Sequence, residues 1–227
     1  GFTGGTVDKL SSIPGFKIEL TPEEFTGQVN RIGISIISQS GQITPADKKL
    51  YALRDVTGTV DNVSLIASSI MSKKLASGSD GIVLDVKCGN GAFFKTKEEA
   101  VNAAKLMMEI GKSADKNMAA IISGMEQPLG RAIGNTLEVM EAIDVLKGLG
   151  SRDITDISIE LASLMILMGE KADFIEEARA IASKKLYSGE ALGKLRELIE
   201  AQGGDKKIID DYGLLGLAKY SGSIKAE

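Results

Sequence analysis

The fold class is decided by the stretch DGIVLDVKCGNGAFFKTKEEAVNAAKLMMEIGKSADKNMAAIIS (80–123). Its start, GIVLDVK (81–87), is a nearly continuous apolar run, which is typical of a strand buried on both faces. Thr96 and Glu99 have the spacing of a capping box and precede apolar residues at helical spacing, so a long helix is predicted. MAAIIS (118–123) is a second strand-like run. The order strand, helix, strand predicts an α/β protein.

The residues upstream repeat this pattern. FKIEL (16–20) and GISIIS (33–38) are predicted as strands because both are apolar and of strand length. Between them, Thr21 is expected to cap a helix that has Pro22 at its first position and Glu24 closing a capping box. We therefore expect a mixed sheet flanked by helices.

Helices are predicted for most of the remaining chain. GMEQPLGRAIGN (124–135) is punctuated by glycine and proline and predicts a loop before the next helix. From Ile154 onward the pattern is mostly helical. Residues 42–78 are helical in pattern over a longer stretch than a connection between two strands requires. We interpret residues 42–78 as an excursion into a separate helical lobe.

The composition excludes several kinds of site. The 227 residues include no histidine and one cysteine, which excludes histidine-based triads, histidine general bases and histidine or multi-cysteine zinc sites from this chain acting alone. With 27 basic and 31 acidic residues the net charge is -4, which argues against a nucleic-acid surface. The longest apolar stretch, at 161–168, is far short of the roughly 20 residues of a membrane span. We expect a cytoplasmic protein without nucleic-acid or membrane partners and without an organic cofactor.

The glycine clusters differ in what they predict. CGNGAFF (88–94) has Phe94 where a dinucleotide motif needs glycine, and GKS (111–113) follows a helix without P-loop spacing, so neither predicts a nucleotide site. In GFTGGTVDKL (1–10), glycine amides and the hydroxyl of Thr6 form a combination suited to phosphate oxygens. The alternative is a plain turn in which Thr6 starts a helix.

A second group of polar residues lies in the helical stretch. Ser69 and Lys73 are four residues apart and so share one face of a helix, and Arg54 lies upstream beside Asp55. A hydroxyl, an ammonium and a guanidinium together could recognise a planar heterocycle that presents carbonyl oxygens and a ring N–H. The alternative is a solvated face, with Arg54 paired to an acid and the lysines as surface charges.

A third candidate site lies in QPLGRAIGNTLEVMEA (127–142). Loop carbonyl oxygens here precede a helix with Glu138 and Glu141, and such oxygens are ligands for a hard cation. The alternative is an ordinary connection with glutamates that face solvent. The spacing does not decide between the two.

Four long motifs together resemble, in order, the middle of the pyrimidine-nucleoside phosphorylases and the related thymidine phosphorylases. They are GFTGGTVDKLSSIPGF (1–16), QITPADKKLYALRDVTGTVDNVSLIASSIMSKKL (42–75), DGIVLDVKCGNGAF (80–93) and QPLGRAIGNTLEVMEA (127–142). The sequence IASSIMSKK (66–74) resembles the broad-specificity pyrimidine enzymes more than the thymidine-restricted ones. The resemblance covers nearly the whole chain.

The resemblance implies phosphorolysis, in which inorganic phosphate attacks C1′ of uridine or thymidine and a free base and a pentose 1-phosphate are formed. Arg54, Ser69 and Lys73 match the residues that hold the pyrimidine ring, and Arg54 and Lys73 would be catalytic. Thr6 matches a phosphate-contacting threonine. Cations at the base carbonyls stabilise charge on the departing base in the transition state.

The resemblance also implies a structural, potassium-like cation. Its ligands would be the backbone carbonyls of Leu129 and Ala132 and the carboxylate of Glu141. The family has a small helical domain and a larger α/β domain, with the substrates bound between them, and it forms homodimers. The implied division is an α/β part over 1–45, a helical-domain segment over 46–76, and the continued α/β domain over 77–227.

The chain departs from the family pattern in three ways. Phe2 stands where histidine is usual, an upstream Lys-His-Ser-Thr-Gly-Gly phosphate loop and the first helices have no counterpart, and the family's C-terminal portion is missing. We interpret the chain as an internal fragment and expect it to be inactive alone. The other functions considered are a thymidine-restricted phosphorylase, a non-catalytic nucleoside-binding protein, and a phosphoribosyltransferase, for which no magnesium-binding acidic motif is found.

Overall fold

A computed structural model describes residues 5–38, 44–216 and 218–225. Within these residues helices and a small parallel sheet form an α/β protein, which confirms the predicted class. The helices are α1 (Thr6–Leu10), α2 (Pro22–Ile32), α3 (Pro45–Thr57), α4 (Val63–Ala76), α5 (Lys97–Ser113), α6 (Asn135–Leu146), α7 (Arg152–Met168), α8 (Ile175–Tyr187) and α9 (Glu190–Ala201). The strands are β1 (Gly81–Cys88) and β2 (Asn117–Gly124), and short 3-10 turns lie at Lys206–Ile209 and Tyr212–Leu214.

The chain divides into two compact units. Unit 1 takes in the chain positions 1–38, 132–150 and 189–227. Unit 2 takes in 39–131 and 151–188. The division does not follow the boundaries implied by the resemblance, and the separate helical domain at 46–76 stays a prediction.

Unit 2 is built on the strand-helix-strand segment that the sequence predicts. β1 and β2 pair in parallel, from Gly81 opposite Asn117 to Cys88 opposite Gly124, and α5 makes the crossover that parallel strands require. The Thr96 hydroxyl accepts a hydrogen bond from the Glu99 amide, so the predicted capping box is confirmed.

The core of unit 2 lies on one face of the sheet. Alternate side chains of β1 are buried there, whereas the other face, against which α7 packs, is half-buried and exposes Asp85, so the predicted burial on both faces is complete on one face only. Alanines of α5 bring that helix close to the sheet, and apolar residues of α4 complete the cluster. Its main members are Ile66, Ala67, Met71, Ile82, Leu84, Val86, Ala100, Ala103, Ala104 and Met107.

The long helical stretch of unit 2 is two helices. Gly58 ends α3 with a φ of 66°, a left-handed conformation that glycine adopts without a steric penalty. The Asn62 side chain then accepts a hydrogen bond from the Leu65 amide and caps α4. Gln42 and Ile43, the first residues of the predicted stretch, lie outside the described residues.

Unit 1 confirms the predicted helix α2 but not the strands on either side of it. The Thr21 hydroxyl accepts from the Glu24 amide, and the Glu24 carboxylate accepts from the Thr21 amide. Residues 16–20 and 33–38 form no strand, so that prediction is wrong. One backbone hydrogen bond joins the two runs, from Ser38 N to Ile18 O.

A buried side chain replaces the missing strand pairing. Gln202 is 1% exposed, and its Nε2 donates to Lys17 O at 2.6 Å and to Ile36 O at 2.8 Å. Its Oε1 accepts from Ile36 N at 3.0 Å and from Gln28 Nε2 at 3.2 Å. The backbone groups that a strand would bind therefore bind an amide side chain from the end of α9.

None of the helices in the described residues is both long enough and apolar enough to cross a bilayer.

Candidate functional site

The side chains of Ser69 and Lys73 meet on one face of α4. Lys73 Nζ donates to Ser69 Oγ at 2.8 Å and to Ser69 O at 3.0 Å. Ser69 is buried at 7% exposure, and the Lys73 side chain is 37% exposed. Lys73 therefore has its charged end beside a buried hydroxyl, and the two groups together offer donors to a ligand.

Lys73 has an acidic partner on the neighbouring helix. Its Nζ lies 2.6 Å from Oδ2 of Asp47, whose side chain is 10% exposed. Asp47 is in the first turn of α3, where the helix dipole favours a carboxylate, and Lys73 is in the last turn of α4, where it favours a cation.

Arg54 is buried at the other end of this helix pair. It is 5% exposed, so the alternative that placed Arg54 on a solvated face is wrong. Its Nε donates to Thr59 O at 3.4 Å, its Nη1 to Leu65 O at 3.2 Å, and its Nη2 to Val60 O. The guanidinium also lies 5.1 Å from the ring centre of Tyr51. Arg54 thus stabilises the connection between α3 and α4 by donating hydrogen bonds to backbone carbonyls of that connection and of the start of α4.

Helix geometry places these groups along one face. Leu65, Ser69 and Lys73 are spaced four residues apart, so they follow one another on the same side of α4. Arg54 binds the carbonyl of Leu65, and Asp47 binds Lys73. The two helices therefore run antiparallel, and the guanidinium, the hydroxyl and the ammonium lie on their shared side in that order.

The proposed phosphate loop falls mostly outside the described residues, since its positions 1–4 are not described. Thr6 is exposed and is the first residue of α1, as the alternative interpretation expected. The Gly5 amide donates to the Asp8 carboxylate at 3.2 Å. A role of Thr6 in phosphate binding stays a prediction.

The proposed cation ligands are distributed over both units. Ala132 and Glu141 belong to unit 1, and Leu129 belongs to unit 2. The Ala132 amide donates to Oε2 of Glu141 at 3.2 Å, so this carboxylate is held beside the loop. Among the described residues no group of three or more acidic or cysteine side chains could hold a metal. The predicted ligands are two carbonyls and one carboxylate, and their role in binding a cation stays a prediction.

Glu138, the other glutamate of this segment, forms an ion pair with Lys9. Partial burial raises the pKa of Glu138, but the hydrogen bond from Lys9, the Gly134 amide and the charge of Lys9 lower it by more. The pKa of Glu138 is therefore below its ordinary value of 4.5. This glutamate joins α1 to α6 and is separate from the proposed cation ligands.

Sequence reasoning did not identify Asp47 or Tyr51. A usable signal was present for Asp47, because it lies seven residues before Arg54 and so on the same face of α3. No sequence signal showed that Arg54 would bind backbone carbonyls, since these belong to a turn whose path is set only by the packing of the two helices.

Comparisons with known proteins place these residues in a family. A family profile described as "Glycosyl transferase family, a/b domain" matches residues 1–192. Pyrimidine-nucleoside phosphorylases of Bacillus subtilis (strain 168), Staphylococcus haemolyticus (strain JCSC1435) and Staphylococcus aureus (strain USA300) are each 53% identical to the chain over 227 residues. These matches cover 100% of the chain and 52% of each relative, so the chain spans about half the length of the curated relatives it matches.

The profile covers most of the chain, including the helix pair with Arg54, Ser69 and Lys73 and the parallel strands of unit 2. The chain therefore belongs to the glycosyl transferase family, in its a/b domain.

Proposed function

We propose that the whole protein is a pyrimidine-nucleoside phosphorylase. It would use inorganic phosphate to split uridine or thymidine into the free base and ribose or deoxyribose 1-phosphate. The curated relatives with 53% identity have this name, which supports the assignment. The chain spans about half of their length, so the activity is a proposal about the complete protein.

The main structural support is the pair formed by Ser69 and Lys73. A pyrimidine leaving group gains negative charge as its bond to C1′ breaks, and that charge lies partly on its carbonyl oxygens. An ammonium held at 2.8 Å from a buried hydroxyl gives two adjacent donors for one edge of such a ring. These donors stabilise the charged leaving group more than the neutral nucleoside, which lowers the barrier.

Arg54 would bind the same ring from the other end of the helix pair. Its guanidinium has five N–H donors, of which the bonds to Thr59, Val60 and Leu65 use three. With respect to the described part of the chain, one N–H on each terminal nitrogen is then left for a base carbonyl. Because the carbonyls and the ring of Tyr51 fix the guanidinium, it needs little reorganisation when the substrate binds.

The remaining parts of the proposal concern phosphate, cation and assembly. Thr6 would contact phosphate, and the carbonyls of Leu129 and Ala132 with the carboxylate of Glu141 would hold a potassium-like ion that supports the loop.

Glu141→Gln should then weaken the dependence of activity and melting temperature on potassium. Equal responses to potassium and to a bulky organic cation in both proteins would contradict this cation site. The homodimer and the cytoplasmic location stay predictions.

The function is tested by following release of uracil or thymine from uridine or thymidine by the complete protein, with and without phosphate. Phosphate-dependent release of base is expected. Lys73→Met should lower kcat/KM roughly tenfold to a hundredfold, the effect of one charge-assisted hydrogen bond. Lys74→Met is the matched control, because the side chain of Lys74 is rotated by about 100° around the axis of α4 relative to that of Lys73.

The outcomes separate the alternatives. Release from thymidine but not from uridine would indicate the thymidine-restricted enzyme. Nucleoside binding without release of base would indicate a binding protein and would contradict the proposal. Equal losses in Lys73→Met and Lys74→Met would contradict the assignment of the site.

A further inference from the structure

The ammonium of Lys73 makes two hydrogen bonds and one ion pair inside unit 2. A lysine ammonium has three N–H donors. Two of them point to Oγ and O of Ser69, at 2.8 Å and 3.0 Å, and Asp47 Oδ2 lies 2.6 Å from the same nitrogen. A substrate carbonyl therefore approaches an ammonium that Ser69 and Asp47 already hold in place.

The three partners differ in how strongly they hold the ammonium. The carbonyl oxygen of Ser69 is neutral. It is also positioned to accept the backbone hydrogen bond from the amide of Lys73, four residues later in α4. Asp47 brings an opposite charge to the ammonium, whereas the Ser69 oxygens are neutral acceptors, so the contact with Asp47 adds a Coulombic attraction that the bonds to Ser69 lack. Its side chain is only 10% exposed, so water screens the contact weakly. The bond to the Ser69 carbonyl is thus the one that a substrate replaces most easily.

Asp47 is itself held in place by its position on α3. The first turn of this helix stabilises a carboxylate, and seven residues later Arg54 fixes the same face of α3 to the start of α4. Asp47 therefore approaches Lys73 from a helix whose other end is already anchored. Rotation of the Lys73 side chain away from Ser69 would break the contact with Asp47.

We propose that Asp47 is a positioning residue, which keeps the Lys73 ammonium beside Ser69 and aimed at the leaving base while a substrate carbonyl replaces the Ser69 backbone oxygen. Asp47 does not touch the substrate and acts only through Lys73. The inference rests on the proposed function. It adds a residue to the base-binding group that sequence reasoning did not include.

The test is a double-mutant cycle in the complete protein with Asp47→Asn and Lys73→Met. Asp47→Asn alters the charge with almost no change in shape, and it should lower kcat/KM for uridine or thymidine roughly tenfold, mostly through kcat, because the positioned charge is needed in the transition state. In the Lys73→Met background, Asp47→Asn should have little further effect, since its target is gone. A purely structural role of Asp47 would give the same loss in both backgrounds.

Two controls complete the test. Asp61→Asn removes the same charge from the exposed turn between α3 and α4 and should leave kcat/KM within about twofold of wild type. Melting temperatures of all variants show whether a loss of activity comes from a loss of folded protein. Nucleoside affinity, measured by calorimetry without phosphate, provides a second cycle that does not depend on turnover.

Each outcome supports or contradicts the proposal. Coupling between Asp47 and Lys73 in either cycle supports it. Additive losses, a change of less than twofold in Asp47→Asn, or a gain of affinity in Asp47→Asn would overturn it while leaving the proposed function intact. If the wild-type protein neither binds nor cleaves pyrimidine nucleosides, the proposed function fails first and this inference falls with it.

Discussion

Replacing Gln202 tests whether one buried amide substitutes for strand pairing in unit 1. Gln202→Leu keeps a side chain of similar size but removes all four hydrogen bonds of the amide, with Lys17 O, Ile36 O, Ile36 N and Gln28 Nε2. Gln202 is 1% exposed, so water cannot readily replace these bonds at the site.

The expected cost follows from that count. A neutral hydrogen bond contributes about 1 kcal/mol net, and a buried polar group left without a partner costs about 1–3 kcal/mol. Four lost bonds, partly offset by the gain from burying a leucine, predict a destabilisation of about 3 kcal/mol. Gln28→Leu is the matched control, because it removes only the bonds to Ile34 O and to Gln202 Oε1 and should cost about half as much.

The assay combines urea unfolding with amide hydrogen exchange. The free energy of unfolding reports the total cost, and the exchange rate of the Ile36 amide reports the site itself, since that N–H donates to Gln202. We expect faster exchange at Ile36 in Gln202→Leu than in Gln28→Leu. A destabilisation below about 1 kcal/mol, or unchanged exchange at Ile36, would refute the argument.

Three further predictions concern unit 1. Gly15→Ala should lower the free energy of unfolding by roughly 1–3 kcal/mol, because the φ of Gly15 is 78° and a Cβ there would lie 2.6 Å from Gly203 O. An unfolding free energy equal to that of the wild type in urea would contradict this prediction. Thr21→Ala removes the N-cap of α2 and should cost about 1 kcal/mol by the same measurement, with no loss expected for Thr21→Ser. The lowered pKa of Glu138 means that its ion pair with Lys9 stabilises the fold above pH 4.5, the ordinary pKa, and that this stabilisation is lost as the pH falls through the lowered pKa. The difference in unfolding free energy between wild type and Glu138→Gln should therefore shrink on acidification, and a constant difference would show that the charge of Glu138 is not involved.

The local signals in the sequence were sufficient for the sheet of unit 2 and for most of the helices, but not for the break between α3 and α4. Thr21 and Thr96 cap helices because a threonine hydroxyl and a glutamate three residues later satisfy the first free amides, a contact made entirely within one turn. The four-residue spacing of Ser69 and Lys73 likewise predicted that they share one face of a helix, and there they are in contact. The roles of these residues in binding a base came from the resemblance and stay predictions.

The sequence by itself thus determined what depends on neighbours within about one helical turn, together with the α/β class that follows from the order of the elements. The tertiary structure decided what depends on distant partners. The runs at 16–20 and 33–38 have strand-like residues, but a strand exists only where another strand binds its backbone, and in unit 1 Gln202 occupies that place from far along the chain. The sequence places Asp47 on the same face of α3 as Arg54, but Asp47 meets Lys73 only because α3 folds back along α4, and the spacing does not show which residue of α4 that face contacts.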